Sequence, residues 1–198
     1  CAKQGAILTL LGRDEERLSA TLEEVGNKQA RCFSVDLTDF AATETVIKHA
    51  VAAQGAFHGI IHSAGISTTL PLRSLKAGRV AQLLETNVTA AIELTRLCTK
   101  KAHFSPDGGS ILFLSSVMGV VGQAGKTAYS LTKGALLAGS KSLALELARR
   151  YIRVNCISPG VVETPMSNSA VYSQTEAAQQ KIEGMHPLGL GQPEDIAY

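Results

Sequence analysis

The chain has 198 residues, of which 45% are hydrophobic and 18% are charged, with 19 Lys and Arg against 17 Asp and Glu. This composition is too apolar for intrinsic disorder, and no apolar run reaches the roughly 18 residues that predict a transmembrane helix. A net charge of +2 without a basic cluster argues against nucleic acid or a membrane surface as a partner. The length is typical of a single domain.

The cysteines predict a protein of a reducing compartment. Cys1, Cys32, Cys98 and Cys156 are widely spaced, without a C-x-x-C pair. We therefore expect free thiols rather than disulfides, and a cytoplasmic location. No metal site is predicted, because the histidines do not cluster with other ligand residues at metal-binding spacing.

Short apolar runs alternate with longer amphipathic stretches along the chain. The runs predict buried strands at 6–11, 30–35, 59–63, 110–115 and 153–158. The amphipathic stretches predict helices at 14–25, 43–54, 79–101 and 128–151, with a further helix near 173–183. Strands without polar alternation, separated by helices, predict an α/β fold with a doubly wound parallel sheet.

Small or polar residues follow each predicted strand. Ligands of such sheets bind beyond the carboxyl ends of the strands, so these positions predict a cofactor cleft along one rim. The positions are Gly12-Arg13, Asp36, Ser63-Ala64-Gly65, Ser115-Ser116 and Ser158-Pro159-Gly160.

The strongest local signal is a tyrosine followed four residues later by a lysine. Tyr129 and Lys133 share one face of a predicted helix, so the ammonium lies near the phenol and favours its ionised form. Many surface helices carry this pair by chance. Ser116 ends the preceding strand, and a loop with glycines at 119, 122 and 125 would return it to the start of that helix. The three residues together predict acid–base chemistry on a substrate oxygen.

In chain order these residues match the motifs of a known family, and the chain resembles the short-chain dehydrogenase/reductases of the Ser-Tyr-Lys type over essentially its whole length. It is similar in overall pattern to 3-oxoacyl-acyl-carrier-protein reductases. One motif departs from the family pattern, because His62-Ser63-Ala64-Gly65 stands where Asn-Asn-Ala-Gly is usual. The other matching motifs are Gly12-Arg13, Val35-Asp36-Leu37, Asn87, Ser116, Tyr129-x-x-x-Lys133, 152–155 and 159–164.

The resemblance implies an oxidoreductase that interconverts a carbonyl and a secondary alcohol with a nicotinamide cofactor. Tyr129 would be the proton donor, Lys133 would lower its pKa and bind the nicotinamide ribose, and Ser116 would bind the carbonyl oxygen. Asn87 would hold a water that connects Lys133 to solvent, or else it is a buried asparagine bonded to helix backbone. We expect Ser115 and His62 to be structural.

Further positions imply how the cofactor is held. Gly12 and Arg13 favour NADP(H) over NAD(H), since a guanidinium can pair with a 2′-phosphate; Arg13 could instead be a solvated helix-start residue. Asp36 and Leu37 would meet the adenine. The adenosine ribose and the nicotinamide carboxamide would contact the remaining positions, which are Ser63, Ala64, Gly65, Pro159, Gly160, Val162 and Thr164.

The substrate is less well defined. Met118 and Gln123 are expected to face a small carbonyl or alcohol substrate, under a lid formed by 164–191. A 3-oxoacyl thioester is one candidate, and a sugar, polyol or other small alcohol is the alternative. A nucleotide-sensing protein on the same scaffold is a further reading, although such a protein would be expected to lose part of the Ser-Tyr-Lys set. Helices 79–101 and 128–151 predict a homodimer or homotetramer.

The chain begins after the point where the family has its first strand and Gly-rich phosphate-binding turn, and the family's last strand would follow residue 198. We therefore expect residues 1–198 to be one NAD(P)-binding domain, present as a fragment of a longer chain, that lacks the first strand, which is central in the family sheet, its Gly-rich turn and the last strand.

Overall fold

The fold alternates strands and helices, as the sequence predicts. The computed structural model describes residues 1–168 and 175–197. The described strands are β1 Thr9–Gly12, β2 Arg31–Ser34, β3 Gly59–His62, β4 Gly109–Leu114 and β5 Ile152–Ile157. The described α-helices are α1 Glu15–Val25, α2 Phe40–Gln54, α3 Ala77–Leu84, α4 Ala90–Cys98, α5 Thr127–Leu147, α6 Pro165–Asn168, α7 Glu176–Gly184 and α8 Pro193–Ala197.

The strands form two parallel sheets. One has the order β1-β2 and pairs Thr9 with Arg31; the other has the order β3-β4-β5 and pairs Ile111 with both Ile60 and Val154. Within the described residues no strand ladder joins β1 to β3. The prediction of a parallel, doubly wound α/β fold is confirmed, while a further strand at either end of the chain stays a prediction.

Polar caps start the helices that follow β1 and β2. The Asp14 carboxylate accepts a hydrogen bond from the backbone N–H of Arg17 at 3.0 Å, and Asp39 does the same for Ala42. Gly26 ends α1 at φ 62°, a left-handed conformation that glycine adopts without strain. The boundaries of α1 therefore follow from local sequence.

The two longest predicted helices are shorter or less regular than expected. Helix 79–101 is divided into α3, a π-helical turn at Glu85–Thr89 and α4, which ends at Cys98. The α-helix predicted at 128–151 ends at Leu147 and continues as a 3-10 turn to Arg150. Tyr151 then has φ 55°, and its carbonyl accepts a hydrogen bond from the Gly109 backbone at the start of β4. Strand pairing therefore decides this helix end.

The hydrophobic core belongs mainly to the three-stranded sheet. Ile111 is 0% exposed and Phe113 is 1% exposed, both on the central strand β4. Leu97 on α4 and Leu136 on α5 are buried against this strand, and Ile47 joins them from α2. The most buried surfaces of the molecule therefore surround the strand that leads into Ser116.

The segment after β5 carries the helix predicted near 173–183. It is α7, Glu176–Gly184, and residues 173 and 174 lie outside the described part of the chain. His186 joins this helix to the loop after β5, since its Nε2 accepts from the Val161 N–H at 3.0 Å and its Nδ1 lies 2.7 Å from the Ile182 carbonyl. The loop and α7 are thus held side by side.

Candidate active site

The end of β4 lies directly against the first turns of α5. A Cβ atom added at Gly119 would approach the Lys133 backbone carbon to 2.9 Å, so only glycine permits this contact. The Val117 N–H also donates to the Pro159 carbonyl at 2.9 Å, which ties the same turn to the loop after β5. The predicted return of the loop to the helix is what the structure has.

Lys133 is a buried cation with a fixed position. It is 8% exposed, and its Nζ donates to the Leu114 carbonyl at 2.7 Å. Burial lowers the pKa of this ammonium, and the neighbouring Cys156 opposes that shift. The Nζ lies 5.6 Å from the centre of the Tyr129 ring, so the structure brings the predicted pair together.

A second lysine lies on Tyr129. The Nζ of Lys126 is 5.5 Å from the ring centre and donates to the Ser67 hydroxyl at 3.3 Å. Lys126 is 7% exposed, and burial lowers its pKa. This residue was not predicted from the sequence. Its signal was a cation three residues before the tyrosine, at a helix start where the helix dipole disfavours positive charge.

The two serines that follow β4 have different contacts. The Ser115 hydroxyl donates to the Lys133 carbonyl at 2.7 Å, so it anchors α5. The Ser116 Oγ accepts from the Met118 N–H at 3.2 Å, which leaves its O–H proton to donate elsewhere. Met118 is half-buried in the same turn. Ser116 is therefore the serine whose donor can face a substrate oxygen.

Asn87 lies in the π-helical turn and is 1% exposed. Its Oδ1 accepts from the Ile66 N–H at 2.8 Å, and its Nδ2 donates to the Ile66 carbonyl at 2.9 Å and to the Thr132 hydroxyl at 3.0 Å. Asn87 is thus buried and bonded to backbone, but the backbone is that of the loop residue Ile66 and not that of a helix. These contacts also bind the loop after β3 to α5, one residue away from Lys133.

A close backbone approach marks the loop after β3. A Cβ atom added at Gly65 would lie 3.3 Å from Asn87 Oδ1 and 3.8 Å from Lys133 Nζ. The missing side chain therefore leaves space beside the Lys133 ammonium, and a ribose hydroxyl can occupy that space. The residues around it are thus suited to hold a dinucleotide. Ser63 and Ala64 are exposed on the same loop. His62 points inward, stacks on Phe113 at 4.5 Å and contacts Thr95 Oγ1 at 2.9 Å.

The rim of the two-stranded sheet holds an exposed ion pair. Arg13 lies 3.5 Å from Asp36 and its side chain is 65% exposed. The pKa of Asp36 is lowered, chiefly by the Thr38 N–H and then by the Thr38 hydroxyl, with a smaller part from Arg13. Leu37 packs against the core. The structure thus brings Arg13 and Asp36 together at the predicted edge.

The loop after β5 runs beside the residues that follow α7. Gly160 is close to His186, because an added Cβ would lie 2.9 Å from the ring Nε2. Val162 forms an isolated parallel bridge with Gly191. The Thr164 carbonyl accepts from the Ser167 hydroxyl at 2.9 Å, which begins α6. Pro159, Gly160, Val162 and Thr164 are thus placed on one segment that borders the end of β4.

A pocket of about 200 Å³ lies between the loop before α5 and helix α7. Gln123, which was predicted to face the substrate, lines it. Lys181, Ile182 and Met185 also line it and lie within the segment 164–191 that was predicted to cover the substrate, whereas Thr69 and Lys126 were not anticipated from sequence. Among the described residues, no three His, Cys, Asp or Glu side chains are grouped closely enough to bind a metal ion. No described helix is long and apolar enough to cross a bilayer.

Comparison with known proteins agrees with this geometry. The profile of the family described as short chain dehydrogenase matches residues 1–175. The chain is 31% identical to acetoacetyl-CoA reductase of Acinetobacter sp. (strain RA3849), over 96% of this chain and 76% of that protein. It is 28% identical to a 3-oxoacyl-[acyl-carrier-protein] reductase of Thermotoga maritima, over 99% of this chain and 79% of that protein.

The fold is likewise similar to solved structures. An NAD⁺-bound xylitol dehydrogenase superimposes with a TM-score of 0.89 at 26% identity, covering 98% of this chain and 81% of the other. The profile, the relatives and the fold all point to the same family. The chain belongs to the short-chain dehydrogenase family of oxidoreductases.

Proposed function

We propose that this protein interconverts a carbonyl group and a secondary alcohol with NADP(H), using Tyr129 as its acid–base group. The observation that carries the proposal is the buried Lys133 ammonium, held 5.6 Å from the Tyr129 ring beside the strand end that bears Ser116. A fixed cation favours the phenolate form, so the tyrosine can exchange a proton nearer neutral pH.

Each residue has a distinct task in the reduction direction. When bound, NADPH supplies the hydride that adds to the carbonyl carbon. Tyr129 donates its phenolic proton to the oxygen as negative charge develops there, and Ser116 donates a hydrogen bond to the same oxygen. Lys133 stabilises the phenolate that remains. Asn87 keeps the loop after β3 against α5, and so keeps the site assembled.

The residues that would hold the cofactor lie along the carboxyl ends of both sheets. Ala64 and Gly65 are assigned to the adenosine ribose, which their small size lets approach the backbone, and Lys133, whose Nζ would lie 3.8 Å from a Cβ added at Gly65, is assigned to the nicotinamide ribose. Asp36 and Leu37 are assigned to the adenine, and the Pro159–Thr164 loop to the carboxamide. Arg13 is exposed at the outer rim, where one guanidinium nitrogen lies 3.5 Å from Asp36 and the other N–H groups can pair with a 2′-phosphate, which supports NADP(H).

Replacing Tyr129 with phenylalanine tests the proton donor. Because Tyr129→Phe keeps the ring and removes only the hydroxyl, we expect kcat/KM for carbonyl reduction to fall about 10²- to 10⁴-fold, with the folded structure preserved. Tyr151→Phe is the matched control, since Tyr151 is 79% exposed and contacts the start of β4, at the other end of the strand from Ser116. Turnover close to wild type in Tyr129→Phe would refute the mechanism.

The relatives suggest two substrate classes. Acetoacetyl-CoA reductase and 3-oxoacyl-[acyl-carrier-protein] reductase favour a 3-oxoacyl thioester. The likeness to a xylitol dehydrogenase favours a sugar or polyol instead. NADPH oxidation measured across thioesters, sugars and simple ketones separates these classes. A nucleotide-sensing role would be indicated by cofactor binding without turnover of any of them.

We also propose that α4 and α5 meet a second copy of the chain. Leu131 and Leu145 on α5 are 56% and 81% exposed, and Ile92 on α4 is 39% exposed, while the opposite sides of both helices are buried. We expect light scattering to give a dimer or tetramer, which Leu145→Glu weakens by placing a charge in the apolar contact. A monomeric wild type would exclude this assembly.

A further inference from the structure

Lys126 is a buried ammonium with few partners. It is 7% exposed, and its recorded contacts are the Ser67 hydroxyl at 3.3 Å and the face of the Tyr129 ring. By contrast, Lys133 donates to a backbone carbonyl at 2.7 Å. A buried cation usually has a carboxylate partner, since desolvation of the charge is otherwise uncompensated. Within the described part of the chain, Lys126 forms no salt bridge.

The pocket beside Lys126 contains a second cation. Lys181 of α7 lines the same pocket, is exposed at its edge, and forms no salt bridge with any described residue. None of the described residues that line the pocket is acidic. Two positive charges therefore face one small volume, and no described side chain that lines it supplies a compensating negative charge.

The start of α5 adds to this positive potential. Lys126 occupies the N-cap position of a 21-residue helix, and no side chain caps the first turn. The positive end of a helix dipole disfavours a cation and favours an anion. A lysine at this position therefore raises the energy of the empty pocket, and a bound anion would lower it.

We propose that this pocket binds an anionic group of the substrate, so that the substrate is a small oxo acid or hydroxy acid whose charge lies close to the reacting carbon. The proposal rests on the proposed function. Lys126 is as close to the Tyr129 ring as Lys133 is, at 5.5 Å against 5.6 Å, so the bound charge lies beside the proton donor. The small volume of the pocket, about 200 Å³, suits a short molecule.

Matched pairs of charged and neutral carbonyl compounds test the proposal. Levulinate and acetoacetate are each compared with their methyl esters, and dihydroxyacetone phosphate with dihydroxyacetone, at saturating NADPH. We expect kcat/KM to favour the charged member of a pair by about 10- to 100-fold, because a charge-assisted hydrogen bond is lost in the neutral one. The phosphate arm decides whether the group is a carboxylate or a phosphate ester.

Variants assign the preference to the two lysines. Lys126→Gln is expected to raise KM for the charged member by about 10-fold or more and to abolish the preference over the neutral member, whereas Lys126→Arg retains the preference. Lys181→Gln is expected to raise KM for the charged member by a smaller factor. If Lys126→Gln does not fold, Lys181→Gln is the variant that tests the proposal. Lys141→Gln, an exposed lysine of the same helix, is the control.

A binding measurement separates this proposal from the proposed function. Succinate, which has no carbonyl to reduce, should bind wild type in calorimetry and lose its affinity in Lys126→Gln. If succinate does not bind and both members of each pair react equally, the anion site is refuted while the oxidoreductase function stands. If Lys126→Gln lowers kcat equally for both members and shifts the pH profile, Lys126 serves Tyr129 instead, and the proposal is also wrong. Absence of turnover with every carbonyl, together with succinate binding, would refute only the proposed function.

Discussion

The two sheets of this protein differ in how deeply their strands are buried. They also differ in the kind of residue that follows each strand, at the edge where the cofactor is expected to bind. In the two-stranded sheet every residue of β1 is only partly buried, and the edge ends in an exposed Arg13–Asp36 pair. In the three-stranded sheet β4 is the central strand, with Ile111 inaccessible to solvent. The buried half carries the residues assigned to proton transfer, which requires fixed positions. The exposed half carries charges, which recognise a ligand without close packing.

Core truncation should show the largest difference between the two halves. Ile111→Ala leaves a cavity in the centre of the buried sheet, so we expect a loss of about 3–4 kcal/mol in the free energy of unfolding. Leu10→Ala on β1 removes a half-buried side chain and should cost about 1 kcal/mol. Urea denaturation followed by circular dichroism measures both losses. Equal losses would show that the two sheets contribute alike to the core.

The histidine that ends β3 should make the stability of the buried half depend on pH. Burial lowers the pKa of His62 to about 4, from an ordinary value of 6.5. The folded protein therefore resists a proton that the unfolded chain accepts. Stability is retained above pH 6.5 and falls as the pH decreases towards 4. We expect a loss of about 2 kcal/mol between pH 7.5 and pH 5.

Unfolding of a His62 variant isolates the contribution of this histidine to the pH dependence of stability. His62→Gln should be less stable at pH 7.5, because the stack on Phe113 is lost, but should lose little more stability on acidification. His49→Gln, at an exposed position on α2, should keep the wild-type profile. An unchanged pH dependence in His62→Gln would contradict the assignment.

The smallest expected effect concerns Arg13, at the edge of the more exposed two-stranded sheet. If Arg13 pairs with a 2′-phosphate, Arg13→Ala should raise KM for NADPH about 10-fold and leave KM for NADH within about twofold, with no change in fold. Arg17→Ala is the control: Arg17 is a second exposed arginine, on α1, whose side chain pairs with Asp14 at 3.2 Å, and its removal should leave both KM values within about twofold. A wild-type preference for NADH would remove the basis of this prediction.

Much of the site could be predicted because it depends on local sequence. The spacing of Tyr129 and Lys133 places both on one helix face whatever surrounds that helix. Ser116 follows from the end of an apolar run, and Asp14 and Gly26 are recognisable helix caps. Such features need only strand and helix periodicity, together with the chemistry of single residues.

Other features depend on contacts between distant segments. The π-helical turn at Glu85–Thr89 accompanies hydrogen bonds from Asn87 to Ile66, a residue 21 positions earlier. The end of α5 is decided by the contact of Tyr151 with Gly109. Neither contact has a signature in the local sequence, so helix 79–101 was expected to be regular and helix 128–151 to run longer.

The amino-acid sequence by itself determined the α/β class and predicted the cofactor edge and the Ser-Tyr-Lys set, because periodicity and motif spacing are properties of short segments. Only the tertiary structure decided that Lys126 is buried on Tyr129 and that Lys181 faces the same pocket. These two lysines are 55 positions apart, and a lysine is normally solvated at the surface. Burial of one of them results from the packing of loops and α7 around the start of α5, which no local pattern specifies.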